Sequence, residues 1–166
     1  DQLPPFDNVS LEVEYGYFHG YRYLDRRGFT PEFPFGFGLS YTSFALSDLR
    51  VSRSQAGPGE TVTFSVDVEN TGPVAGGEVV QLYVSYPDSE VERAERELKG
   101  FAKVVLEPGE RRTVRIDIPI DSLAYYDSDR SEWILEALEY VVHGGTSSRD
   151  LPLSVTLSVD SEAIAR

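Results

Sequence analysis

An all-β antiparallel sandwich is the fold class this sequence predicts, on three observations. Several stretches alternate apolar with polar side chains, turn-forming clusters separate them at short intervals, and nothing has the 3.6-residue period of a long helix. Thr61 to Glu69 is the clearest strand, with Val62, Phe64, Val66 and Val68 on one face and Thr61, Thr63, Ser65, Asp67 and Glu69 on the other. Asn70-Thr71-Gly72-Pro73 ends it. Glu78 to Tyr86 is apolar on both faces, as a central strand is, and Phe101 to Leu106 is a third strand closed by the tight turn Glu107-Pro108-Gly109-Glu110. Arg112 to Ile118 turns Val114, Ile116 and Ile118 inward. Tyr140 to His143, Leu153 to Val159 and Phe44 to Val51 bring the number to about seven strands, the pattern of an immunoglobulin- or fibronectin type III-like sandwich. Glu90 to Leu98 is the one helix-capable stretch, and its charges suit an exposed loop equally well.

Residues 1–43 read differently. Asp1 to Asp7 holds Pro4-Pro5 and few apolar residues, as a linker does. Tyr15 to Tyr23 and Phe33 to Tyr41 then crowd aromatic rings around glycines, too irregularly to build a core of their own. Such segments lie against something else, either the sandwich or a partner surface. The expected organisation is an irregular aromatic arm over 1–43, the sandwich over 44–160 and a short tail over 161–166.

Composition narrows the function. The 166 residues carry 28 acidic against 15 basic side chains, a net charge of -13, which repels nucleic acid and anionic membranes. A hydrophobic fraction of 40% is that of a packed fold rather than a disordered polymer. The absence of Cys removes disulfides, thiolate metal sites and cysteine nucleophiles together. No Met occurs and the first residue is Asp, so the sequence reads as a processed or excised piece.

Catalytic patterns are weak. Two histidines, His19 and His143, are too few for a metal cluster, and His143 reads as a sandwich-edge residue. No G-x-S-x-G elbow occurs, and pairs such as Asp127 with Asp129 or Glu90 with Glu92 are ordinary loop charges in so acidic a chain. Gly36-Phe37-Gly38 lacks the third glycine of a dinucleotide loop and reads as a backbone bend. Asp127-Ser128-Asp129 lacks the glycine and terminal glutamate of a calcium loop. Asn8-Val9-Ser10 is a glycosylation sequon. The lone Trp133 falls in a strand pattern and is expected in the sandwich core; an exposed position would make it a sugar-stacking platform.

A family resemblance ties these segments together. Gly20-Tyr21-Arg22-Tyr23-Leu24-Asp25 and Phe33-Pro34-Phe35-Gly36-Phe37-Gly38-Leu39-Ser40-Tyr41 resemble the lead into the C-terminal fibronectin type III-like domain of glycoside hydrolase family 3 enzymes. The match runs on in order through Val68-Glu69-Asn70-Thr71-Gly72, Ala75 to Val84, Glu97-Leu98-Lys99-Gly100-Phe101, Leu106 to Glu110 and Gly144 to Asp150. Two departures are visible: Tyr15-Gly16 stands where many relatives have Glu-Gly, and Ala137-Leu138 where many have a Pro-Gly turn.

The resemblance implies β-glucosidases or related retaining, exo-acting β-glycosidases. Their nucleophile and acid/base carboxylates belong to a barrel domain and an α/β sandwich domain upstream of the matched segment. It therefore implies that this chain holds no catalytic residue, cofactor or metal, and that it is a non-catalytic accessory domain whose partners are those catalytic domains, with β-glucoside or glucan substrate in the assembled enzyme. It implies export more readily than a cytoplasmic location. Tyr15, Tyr17, Phe18, Tyr21, Arg22, Phe33, Phe35 and Phe37 are the expected docking surface, with Arg22 as the charged anchor. A free carbohydrate-binding module, stacking sugar on Trp133 or Tyr125-Tyr126, and a structural sandwich domain are the alternatives.

Overall fold

The computed structural model describes residues 16–160 and the backbone of 162–164. Tyr15 and the sequon at Asn8 lie outside them. Two antiparallel-type sheets face each other, and a small third sheet flanks them. The first joins β1 (Phe44–Val51), β3 (Thr61–Asn70) and β6 (Arg111–Pro119) in the order β1-β3-β6. The second has the order β2-β10-β9-β4-β5, from β2 (Gln55–Ala56), β4 (Gly76–Ser85), β5 (Glu97–Leu106), β9 (Glu139–Gly145) and β10 (Leu153–Val159). Its one parallel pairing is β2 with β10. The third sheet, β11-β8-β7, is built from β7 (Tyr125–Asp127), β8 (Glu132–Leu135) and β11 (Glu162–Ile164).

The period-2 pattern becomes the core directly. Val62, Phe64, Val66 and Val68 of β3 are fully buried, Val114, Ile116 and Ile118 of β6 sit beside them, and Val80, Leu82 and Val84 of β4 close the far side. Tyr140 and Val142 of β9 and Leu157 of β10 complete one continuous cluster. The chain changes sheets between β5 and β6 at the expected Pro-Gly turn, where Glu110 N donates to Glu107 O at 2.9 Å. Gly109 takes φ 73° there, a conformation that side chains disfavour.

Asn70 organises the end of β3. It is fully buried, and its Nδ2 donates to Val74 O and Leu106 O while its Oδ1 accepts from the Thr42 hydroxyl and Gly72 N. All the hydrogen-bonding capacity of the amide group is used, so the Asn70-Thr71-Gly72 turn pins the start of β1 to the neighbouring loop.

Four expectations are corrected. The arm is not wholly irregular, because Tyr21–Arg26 forms a short helix, α1. Trp133 is 36% exposed and lies outside the core, because its strand belongs to the third sheet rather than the sandwich. His143 is not at an edge, because β9 runs between β10 and β4. Residues 162–164 of the tail pair with β8, adding an edge strand. Glu90 to Leu98 is a loop leading into β5.

Phe64→Ala removes a fully buried ring, and the unfolding free energy from urea titration is expected to fall by about 3–5 kcal/mol. A Cβ on Gly145 runs into the Asp150 carbonyl, whereas one on Gly57 meets nothing within 4 Å. Gly145→Ala is therefore expected to lower the melting temperature by several degrees and Gly57→Ala to leave it nearly unchanged, as differential scanning calorimetry can read.

Candidate functional site

The arm is folded onto the outer face of the second sheet, and this explains a sequence oddity. Residues 80–84 of β4 are buried on both faces: Val80, Leu82 and Val84 point to the core, and Gln81 and Tyr83 point out beneath the arm. Gln81 Nε2 donates to Gly36 O and Thr146 O, and its Oε1 accepts from the Tyr83 hydroxyl at 2.7 Å. Gly36 adopts φ 82°, and a Cβ there collides with the Gln81 amide, so this bend needs glycine on both counts.

Three of the eight arm residues singled out in the sequence, Tyr17, Tyr21 and Arg22, hold the arm to the sandwich, and Phe18 packs within the arm. Tyr21 receives Leu98 N at 3.0 Å, meets Tyr83 edge-on at 5.9 Å between centroids, and stacks on Phe35 at 5.0 Å. Tyr17 donates its hydroxyl to Glu97 Oε1 at 2.5 Å and packs edge-on with Phe18. Arg26 caps the Phe18 ring at 4.1 Å. Arg22 lies 3.8 Å from Glu97 Oε1, beside the Tyr17 ring, and so has a carboxylate partner within its own chain. Phe33, Phe35 and Phe37 are instead 70%, 51% and 48% exposed, and Phe33 and Phe37 touch each other at 5.7 Å. Leu39 and Tyr41, further along the arm, are exposed as well.

Glu97 is the centre that sequence reading missed. Its Oε2 accepts from Tyr86 at 2.7 Å and from Lys99 at 2.9 Å, with Arg93 at 3.6 Å. Burial raises the carboxyl pKa, but Lys99 together with the Tyr17 and Tyr86 hydroxyls outweighs it and holds the group down to about 2. The Arg93 guanidinium sits over the Tyr86 ring, 3.7 Å from its centroid, and donates to Leu123 O, joining this cluster to the turn before the third sheet.

Asp25 of α1 forms a second clamp. Only 3% exposed, it lies 2.6 Å from Arg149 and 3.3 Å from Arg96. Arg149 also donates to Phe29 O, Arg96 to Ser148 O, and Ser148 N to Phe35 O, so the 147–150 loop is stitched along the arm. Glu97, Asp25 and Arg149 all fall inside the motif segments, but each has at least one charged or polar neighbour in the chain, so nothing local marks them as buried.

The histidines do not form a nucleophilic site. Ser85 gives its proton to Glu95 O at 2.6 Å, so His143 Nε2, 3.1 Å away, must donate to Ser85 rather than accept from it. That is the reverse of the polarity a general base needs. His19 has Nδ1 2.8 Å from Gly16 O, which fixes the proton on that nitrogen. Among the described residues no three metal-ligating side chains cluster.

Residues 78–148 match the fibronectin type III-like domain family. The chain is 43% identical over 157 residues to thermostable beta-glucosidase B of Acetivibrio thermocellus, covering 95% of this chain and 21% of that protein. It is 46% identical to a beta-glucosidase of Kluyveromyces marxianus, over 89% of this chain and 18% of that one. An exo-alpha-(1->6)-L-arabinopyranosidase of Bifidobacterium breve is 40% identical, over 95% and 20%. In fold, the chain superposes with a TM-score of 0.81 on the GH3 beta-glucosidase of Bifidobacterium adolescentis, at 39% identity, over 89% of this chain and 21% of that one. The beta-D-glucoside glucohydrolase of Trichoderma reesei gives 0.80 at 37% identity, over 87% and 22%. The chain thus spans about one fifth of the length of these relatives, and along nearly all of its own length it matches, in both sequence and fold, the fibronectin type III-like region of glycoside hydrolase family 3 beta-glucosidases.

Proposed function

We propose that the chain is the non-catalytic C-terminal accessory domain of a retaining, exo-acting β-glycosidase, and that it stabilises the enzyme's catalytic domains by docking on them. Residues 1–43 act as the docking arm and 44–160 as the sandwich that carries it. One observation supports this above the rest: the exposed ridge of Phe33, Phe35 and Phe37 stands on a backbone that Gln81 and the two clamps hold in place. A ridge of large apolar side chains fixed in place is the character of an interface centre, where aromatic anchors dominate the energy. Tyr17, Tyr21 and Arg22 serve that surface by fastening the arm, with Phe18 packed on Tyr17. The partner this implies is the catalytic part of the same enzyme, because the relatives are about five times longer than this chain.

In the enzyme that carries this chain, Phe33→Ala with Phe37→Ala is expected to lower the melting temperature and the half-life of activity at elevated temperature, with KM for an aryl β-glucoside unchanged. Unchanged melting and half-life would sink the docking reading.

Glu97 gives a second expectation. Its folded pKa lies below the ordinary 4.5, so its contribution is fully present above that value and is lost as pH falls from about 4.5 towards about 2. Its side chain is mostly buried, so this contribution is of order 2 kcal/mol. Glu97→Gln is expected to lower stability at pH 7 and to flatten the acid limb of the stability curve, measured by denaturant titration at stepped pH.

A further inference from the structure

A cleft of about 800 Å³ opens between the arm and the third sheet, away from the Phe33–Phe37 ridge residues, which take no part in its lining. Its lining includes the rings of Tyr17, Tyr126 and Trp133, with Glu97, Lys99 and Asp129 contributing polar groups. We propose that this cleft is a saccharide-binding site that takes one or two neutral pyranose units.

Three features argue for that ligand class. The aromatic wall is built by the backbone: Tyr126 and Trp133 are partners across the β7–β8 ladder, with ring centroids 5.5 Å apart and planes at 62°. The ladder holds both rings where they are 52% and 36% exposed, as a stacking platform for the C–H face of a sugar requires. Polar groups line the same cleft. The Lys99 ammonium uses one proton on Glu97 and one on Ser122 O, which leaves a third for a ligand oxygen, and Asp129 at the rim offers an exposed acceptor. The charge then selects against anions. Glu92, Glu97, Asp127 and Asp129 line the cleft against Arg93 and Lys99, in a chain of net charge -13, so phosphorylated or uronic ligands are repelled while neutral polyols are not. The volume falls in the range of small-molecule sites.

The ligand class follows from the cleft itself; only the choice of a β-linked glucose disaccharide as a probe rests on the proposed function. Trp133 is the sole tryptophan, so emission from the 166-residue chain reports this cleft alone. Titration with cellobiose, and separately with maltose, is expected to give a saturable change in intensity and wavelength with at least one of them. Tyr126→Ala is expected to weaken that binding about tenfold, equivalent to about 1.4 kcal/mol, and Asp129→Ala to weaken it severalfold. Both side chains are exposed, and the melting temperature of each variant is expected to stay within a degree or two of the parent. Trp133→Ala, followed by calorimetry, is expected to abolish the heat of binding. No emission change with either disaccharide overturns the proposal, and so does undiminished binding by Tyr126→Ala together with Asp129→Ala. The ridge experiment touches none of these residues, so either reading can fail without the other.

Discussion

The Tyr17 end of the arm, the start of β5 and the approach to the third sheet meet at one ionised carboxylate. Glu97 stands where β5 begins, and its two oxygens gather Tyr17 and Arg22 from the arm, Tyr86 from just past β4, Arg93 from the loop before β5 and Lys99 from its own strand. A charge this deeply placed is tolerable only when surrounded by donors, and each donor is thereby fixed relative to the others. Arg93 and Lys99 carry the constraint onward, donating to Leu123 O and Ser122 O in the turn that precedes the third sheet. The arm, the second sheet and the β7–β8 hairpin therefore share a reference point that is electrostatic rather than apolar.

This arrangement gives the two faces of β4 different tasks. Its inner face holds the sheets together through Val80, Leu82 and Val84, while its outer face, through Gln81 and Tyr83, is the bed on which the arm lies. Gln81 is placed to serve both the arm and the 146 carbonyl, so the arm and the 147–150 loop cannot shift independently. The exposed phenylalanines gain from this. A ridge on a wandering segment would lose much of its binding energy to ordering, whereas one held at Gly36, Tyr21 and Ser148 has little freedom left to lose.

What the sequence reveals depends on whether the information is local. The strand at Thr61 is legible because its alternation and its burial are the same fact, and Phe44–Val51 and Leu153–Val159 keep the bounds read from their patterns. Trp133 misleads for the same reason: Glu132–Leu135 has the look of a core strand, but pairing with β7 carries it off the sandwich onto a separate sheet. Helix α1 has too few residues for periodicity, and tertiary contacts of Tyr21 and Asp25 hold it instead. Glu97 is silent because Tyr17 lies 80 residues away and no spacing rule joins them. The aromatic density of residues 15–41 announces that the arm covers a surface, but which rings face inward is decided by the register of β4 and β5 beneath it.

The two clamps of the arm also answer acid in opposite senses. Burial raises the Asp25 pKa above its ordinary value, and Arg96 and Arg149 only partly offset that, so folding itself favours a proton on this carboxyl. Its ionised form is a cost at neutral pH that is relieved as pH falls through the raised value. Glu97 behaves in reverse, remaining ionised until about pH 2 and losing its contribution only on the way there. On acidification, Asp25 is the first to gain a proton, which weakens its hold on Arg96 and Arg149 without a net loss of folding free energy from that group. The Tyr17–Glu97 attachment persists below that point, so the arm stays fastened at its Tyr17 end after the ion pairs at the α1 end have been neutralised. With their pKa values shifted in opposite directions, the two carboxyls titrate apart, and the contacts of Tyr21 with Leu98 N and of Gln81 with Gly36 O do not titrate at all.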